Sequence, residues 1–229
     1  MFDGHWRETV EKGVDPIGVA LRKAGVSADI LTVTGILVAI AGAVVIGNGS
    51  LRLGFVFLLL SGLPDLLDGP VAKAAGTTSK RGAFFDSTSD RVSDAFLFGG
   101  IAWYLASAEQ YRDSRIMILP VAVMGAAMLI SYMRAKDQLL GFDAKGGIME
   151  RAERFMAISF GLVFPEILIG VLCVMLVLTL VTAGQRFAKI WRQATDDIPE
   201  QNRPTPRLKP RVTTRRPGDD TSRRRLERR

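Results

Sequence analysis

The chain has 229 residues, 48% hydrophobic and 23% charged, with 30 Lys and Arg against 23 Asp and Glu. A mean hydropathy of +0.21 beside so many charges argues against an ordinary soluble domain and for apolar and charged blocks kept apart, as in a membrane protein. The single cysteine, Cys173, excludes a disulfide framework, and the single histidine, His5, far from it in sequence, excludes a Cys/His zinc site.

Residues 1–27 carry Asp3, Glu8, Glu11 and Asp15 and no continuous apolar run. They do not read as a secretory signal; the expectation is an amphipathic helix lying on the membrane surface. Blocks long enough to cross a bilayer, which takes about 20 residues, follow at 30–46, 51–74, 82–106 and 115–139. The stretch 154–190 is too long for one span, and Pro165-Glu166 divides it into a short fifth and a sixth. The expected fold is an all-α integral membrane protein with six transmembrane helices within 28–194. The tail, 195–229, holds 11 Lys and Arg against 6 Asp and Glu, with five prolines and little that is apolar. It is expected to be disordered and to touch anionic lipid; nucleic acid is not an expected partner.

With the N-terminus inside, basic residues around Arg22-Lys23, Lys80-Arg81, Arg134-Lys136, Arg151-Arg154 and Arg186 fall on the cytoplasmic side, as does the tail. Only Arg52, Arg112 and Arg115 fall outside. The asymmetry places both termini in the cytoplasm and the protein in the cell membrane as a multi-pass chain.

The second and third spans carry charge where none is expected: Asp65 and Asp68 in one, Asp86, Asp90 and Asp94 in the other. A charge at membrane depth costs about 3 kcal/mol or more, so such groups pair, bind a cation or face a wet cavity. Asp65 and Asp68 are three apart, Asp86 and Asp90 four apart, so each pair shares a helix face. The short link between the spans makes an antiparallel hairpin, which brings the four carboxylates together at the inner side. With no His or Cys nearby the ligands are all oxygen, which suits Mg²⁺ first and Mn²⁺ second. Asp90, the deepest of the four, is the candidate general base.

The stretch Asp65-Leu-Leu-Asp68-Gly69-Pro-Val-Ala72-Lys73, eight residues, then Gly82-Ala-Phe-Phe-Asp86-Ser-Thr-Ser-Asp90 resembles the signature of the CDP-alcohol phosphotransferases, D-x-x-D-G-x-x-A-R…G-x-x-x-D-x-x-x-D. Seven of eight fixed positions match; the departure is Lys73, where an Arg would offer a bidentate fork. The resemblance implies that CDP-diacylglycerol gives its phosphatidyl group to a second alcohol and CMP leaves. It implies metal ligation by Asp65, Asp68, Asp86 and Asp90, with Asp90 taking the hydroxyl proton, and it implies a homodimer. Gly69, Lys73 and Ser79 then stand where the family holds the nucleotide. Ala28-Asp29-Ile30-Leu31 stands at the family's P-N-x-x-T element at the CDP-lipid site, with Thr32 kept.

For the second substrate, Arg134, Lys136, Arg151, Arg154 and Arg186 gather five cations on the cytoplasmic side. Arg151 and Arg154 share a helix face, and a cluster of this kind suits a phosphate on a polyol acceptor rather than a phosphate-free one. Gly146-Gly147-Ile148-Met149-Glu150-Arg151-Ala152-Glu153-Arg154 and the later Gly184-Gln185-Arg186 are similar to segments of the actinobacterial phosphatidylinositol phosphate synthases, a branch of that family. That similarity implies 1D-myo-inositol 3-phosphate as acceptor. Glycerol 3-phosphate, as in a phosphatidylglycerolphosphate synthase, is the alternative, and a cation or proton transporter is the alternative outside enzymes.

Overall fold

The computed structural model describes residues 16–76, 79–111, 114–143 and 146–197. Most of the expected surface helix, Arg112, Lys145 and the tail from 198 lie outside the described residues. The chain divides into a unit of residues 1–194 and a second of 195–229. Among the described residues the regular elements are all helices.

The first, α1, covers 16–23. Ser27 then caps α2, Ala28–Gly47, by accepting the Ile30 N–H at 3.3 Å, one of the backbone donors a helix start leaves unpaired. Three residues later α3 runs Leu51–Ala75 and ends at Gly76, whose φ of +62° provides the left-handed turn that stops a helix. Pro64 and Pro70 lie inside α3 and frame the segment Asp65–Gly69. Each proline removes one helical hydrogen bond in the turns that carry the aspartates.

Ser79 caps α4, Lys80–Ser107, through the Gly82 N–H at 3.1 Å. A short 3₁₀ turn, Glu109–Tyr111, leads toward α5, Ile118–Leu140. Helix α6, Arg151–Val163, starts with a reciprocal cap between Glu150 and Glu153. Pro165 opens a 3₁₀ turn, Pro165–Ile167, and α7 runs Leu168–Asp196.

Four of these segments are long and apolar enough to cross a membrane: Ala28–Gly47, Leu51–Ala75, Ile118–Leu140 and Pro165–Asp196. Helix α4 has the length, 28 residues, but the stretch 80–94 holds Lys80, Arg81, Asp86, Asp90, Arg91 and Asp94. Helix α6 has 13 residues, about 20 Å at 1.5 Å per residue, less than the ~30 Å hydrocarbon layer.

Helix α2 packs on α3 and α4, α4 on α5, and α3 on α6. The approach of α2 to α4 depends on Gly100, where a Cβ would sit 2.5 Å from the Ala43 carbonyl oxygen. Small residues of this kind let membrane helices touch backbone to backbone, since lipid gives little hydrophobic drive between them. The core joins Ile46, Leu58, Phe98, Ile101, Ile158 and Leu172 from five helices. Leu37, Leu66, Val174 and Val177 instead point outward, more than half exposed, which costs nothing where the surroundings are lipid.

Candidate active site

The acidic site is built by the α3–α4 hairpin. Asp65 and Asp68 project from the last turns of α3, and Asp86, Asp90 and Asp94 line one face of α4 at steps of four. Asp65, Asp68 and Asp86 each present one oxygen within 4.8 Å of the others. Three half-buried carboxylates that close repel one another unless a cation joins them, and an all-oxygen donor set fits a hard divalent ion. The described residues at the hairpin therefore suit Mg²⁺ or Mn²⁺.

Asp90 belongs to the same site through Arg151. The Arg151 guanidinium lies 2.8 Å from Asp65 Oδ2 with Nη1 and 2.7 Å from Asp90 Oδ1 with Nη2, so α6 bridges α3 and α4. On its other side Asp90 Oδ2 is 3.4 Å from Arg91, which also donates to the Ser87 carbonyl at 2.6 Å and reaches Ser131 on α5 at 3.3 Å. One turn deeper, Arg154 stands 3.6 Å from Asp94. Helices α4 and α6 thus meet as two rungs of alternating charge. Asp94 has no role in the sequence reading beyond its presence in the span, although its spacing after Asp86 and Asp90 already placed it on this face.

Helix α2 closes the site from a third side. The Thr32 hydroxyl lies 3.2 Å from Asp68 Oδ2 and 3.0 Å from its own Ala28 carbonyl. Of the residues expected at the CDP-lipid site, Ala28, Asp29, Ile30 and Leu31 form the first turn of α2, and Asp29 pairs with Arg81 of α4 at 2.7 Å. Space beside Gly69 is open: a Cβ there would meet nothing within 4 Å. Lys73 sits in the last turn of α3, and the Ser79 hydroxyl is used in capping α4.

The expected acceptor residues sit in different surroundings. Arg151 and Arg154 face the aspartates as described. Arg186 is buried, 2% exposed, and its N–H groups reach the Ile130 carbonyl at 3.2 Å, the Gly146 carbonyl at 3.4 Å and Glu150 at 3.5 Å. Arg134 and Lys136 are exposed on α5, where the Lys136 ammonium lies 5.9 Å from the Tyr132 ring centroid.

A cavity of about 760 Å³ opens between α2, α3, α4 and α6. At one end it carries Asp65, Asp68, Asp86, Asp90, Asp94 and Arg151; elsewhere its walls are mainly apolar, including Ile36, Ala39, Ile46 and Leu58. A charged end joined to a long apolar wall fits an amphiphile with a polar, anionic head.

Residues 26–191 match the sequence model of the CDP-alcohol phosphatidyltransferases. A phosphatidylinositol phosphate synthase of Mycobacterium marinum is 29% identical, covering 83% of this chain and 85% of its own length. An archaetidylinositol phosphate synthase of Methanothermobacter thermautotrophicus is 32% identical, covering 82% of this chain and 93% of its own. Phosphatidylinositol phosphate synthase of Mycobacterium tuberculosis, solved with CDP-DAG bound, superposes with a TM-score of 0.72 at 29% identity, over 78% of this chain and 93% of that one. The same Mycobacterium tuberculosis protein solved with manganese and citrate also gives 0.72, at 29% identity, over 78% and 88% of the two chains.

Proposed function

The chain belongs to the CDP-alcohol phosphatidyltransferase family, and from that premise we propose that it moves the phosphatidyl group of CDP-diacylglycerol onto 1D-myo-inositol 3-phosphate, releasing CMP. The observation that carries the reading is the union of three converging carboxylates with Arg151 at the charged end of a mainly apolar cavity, where buried Arg154 pairs with Asp94 beside them. The Mycobacterium marinum relative is a phosphatidylinositol phosphate synthase and the Methanothermobacter thermautotrophicus one an archaetidylinositol phosphate synthase, so the inositol phosphate head group is their shared feature.

The apolar walls take the diacylglycerol tails and leave the diphosphate at the aspartates. Asp65, Asp68, Asp86 and Asp90 hold one or two divalent cations. A cation there supplies positive charge against the diphosphate and the departing CMP. Gly69 leaves room for the nucleotide, which the first turn of α2, Lys73 and Ser79 border. Arg151 and Arg154, together with Arg186, Arg134 and Lys136, draw in the acceptor phosphate. Asp90 accepts the proton of the attacking hydroxyl as its oxygen bonds to the phosphatidyl phosphorus and the bond from that phosphorus to CMP breaks.

The same reading gives six spans with α4 and α6 completing the bundle, both termini and the site on the cytoplasmic side of the cell membrane, and a homodimer. Residues 1–27 lie on the membrane surface, 28–194 form the catalytic domain, and 195–229 form a basic tail. The test is CMP release from CDP-diacylglycerol and Mg²⁺ by purified protein given labelled inositol phosphate or glycerol 3-phosphate. Labelled lipid from inositol phosphate is the expected product. A preference for glycerol 3-phosphate moves the chain to the other acceptor, and no CMP release with either acceptor removes the activity.

A further inference from the structure

Thr182 does not line the cavity, yet it governs where α6 begins. It lies in α7, fully buried at 0% exposure. Its hydroxyl accepts the backbone N–H of Met149 at 3.0 Å and donates to the Leu178 carbonyl at 2.9 Å. Met149 is buried too, and the next residue, Glu150, is the N-cap of α6. Gly147 presses on the same side chain: a Cβ at 147 would run into Thr182 Cγ2. One turn further along α7, Arg186 reaches the Gly146 carbonyl and Glu150. Residues 146–150 therefore form a strap seated on α7, and the first residue beyond it is Arg151.

We propose that Thr182 is a positioning residue for the acceptor arginines: its bond to Met149 sets the start of α6 and so the reach of Arg151 and Arg154 toward α3 and α4. The proposal rests on the assignment of those arginines to the phosphorylated acceptor. Without the hydroxyl, the Met149 N–H has no partner in a site shielded from water, and the strap relaxes away from α7 to find one. A small displacement of α6 is amplified at the ends of two long side chains whose contacts are as short as 2.7 Å. The residues assigned to the nucleotide lie on α2, α3 and α4 and are not attached to the strap, and α6 reaches the aspartates beside them through Arg151.

Thr182→Val keeps the shape and removes the hydroxyl; Thr182→Ser keeps the hydroxyl. In full-length protein, Val is expected to raise the KM for inositol phosphate roughly tenfold and to leave the KM for CDP-diacylglycerol within about twofold, with Ser close to wild type. Gly147→Ala, which forces the strap off the same side chain, is expected to show the same split. An unchanged acceptor KM in Thr182→Val, or both KM values rising together, overturns the proposal. Amide hydrogen exchange across 146–150 gives a second readout: it should quicken in Val and not in Ser, and equal exchange in all three proteins also overturns it. Wild-type protein that releases no CMP with inositol phosphate instead overturns the functional reading; the exchange comparison then still decides whether Thr182 holds the strap.

Discussion

Asp90 has one oxygen 2.7 Å from Arg151 and the other 3.4 Å from Arg91, so its carboxylate is held by cations on both sides. Asn keeps that shape but cannot take a proton. Asp90→Asn is therefore expected to lower CMP release by about a hundredfold or more while CDP-diacylglycerol still binds; full activity would remove Asp90 from the proton transfer. Arg154, paired with Asp94, separates the two substrates differently. Arg154→Ala should raise the acceptor KM more than the CDP-lipid KM, and an unchanged acceptor KM would take Arg154 out of the acceptor site. The convergence of Asp65, Asp68 and Asp86 was legible because helical spacing puts each pair on one face and a short link folds the faces together. The bridging place of Arg151 was not, since it and Asp65 are 86 residues apart and meet only because α6 packs on α3. Thr182 gave no signal either. A threonine in an apolar helix ordinarily bonds its own turn, as this one does with Leu178, and nothing local announces the second bond to Met149.

At the scale of helices, apolar length made α2, α3, α5 and α7 legible, and Pro165 marks the break before α7. The expected third span, 82–106, lies within α4; the helix starts two residues earlier because Ser79 supplies the cap. The fifth was expected from 154, but α6 begins at Arg151, since Glu150 and Glu153 cap each other and glutamate is not a usual N-cap to look for. The metal site is also a property of helices rather than of the signature alone. Helix α2 contributes Thr32, whose hydroxyl fixes one oxygen of Asp68 from outside the acidic motif. Groups that orient a ligand tune metal affinity by about 10–100-fold. A chelator should abolish CMP release and Mg²⁺ or Mn²⁺ restore it, and Thr32→Val should need about tenfold more Mg²⁺ for half-maximal rate. A wild-type Mg²⁺ requirement in that variant would show that Asp68 is oriented without Thr32.

For the molecule as a whole, the cavity fixes a direction: charge at one end, mainly apolar wall along the rest. A lipid-linked diphosphate enters such a cavity with its tails in the bilayer and its head at one face, so the basic residues around the aspartates and the site must share a side. In the proposed topology, which follows the distribution of basic residues, that side is the cytoplasm, and the six-span reading follows only if α4 crosses despite its charges. Pairing makes this feasible, because Asp90 and Asp94 meet Arg151 and Arg154, and the converging oxygens of Asp65, Asp68 and Asp86 suit a divalent cation. The arrangement puts Glu109, exposed after α4, and Lys136, exposed near the end of α5, on opposite sides. In a Cys173→Ala background, free of other cysteines, Glu109→Cys should react with a membrane-impermeant maleimide on intact cells. Lys136→Cys should react only after the membrane is opened. Labelling of both positions from the same side would mean that α5 does not cross, and would break the link between the acidic hairpin and the cytoplasmic face.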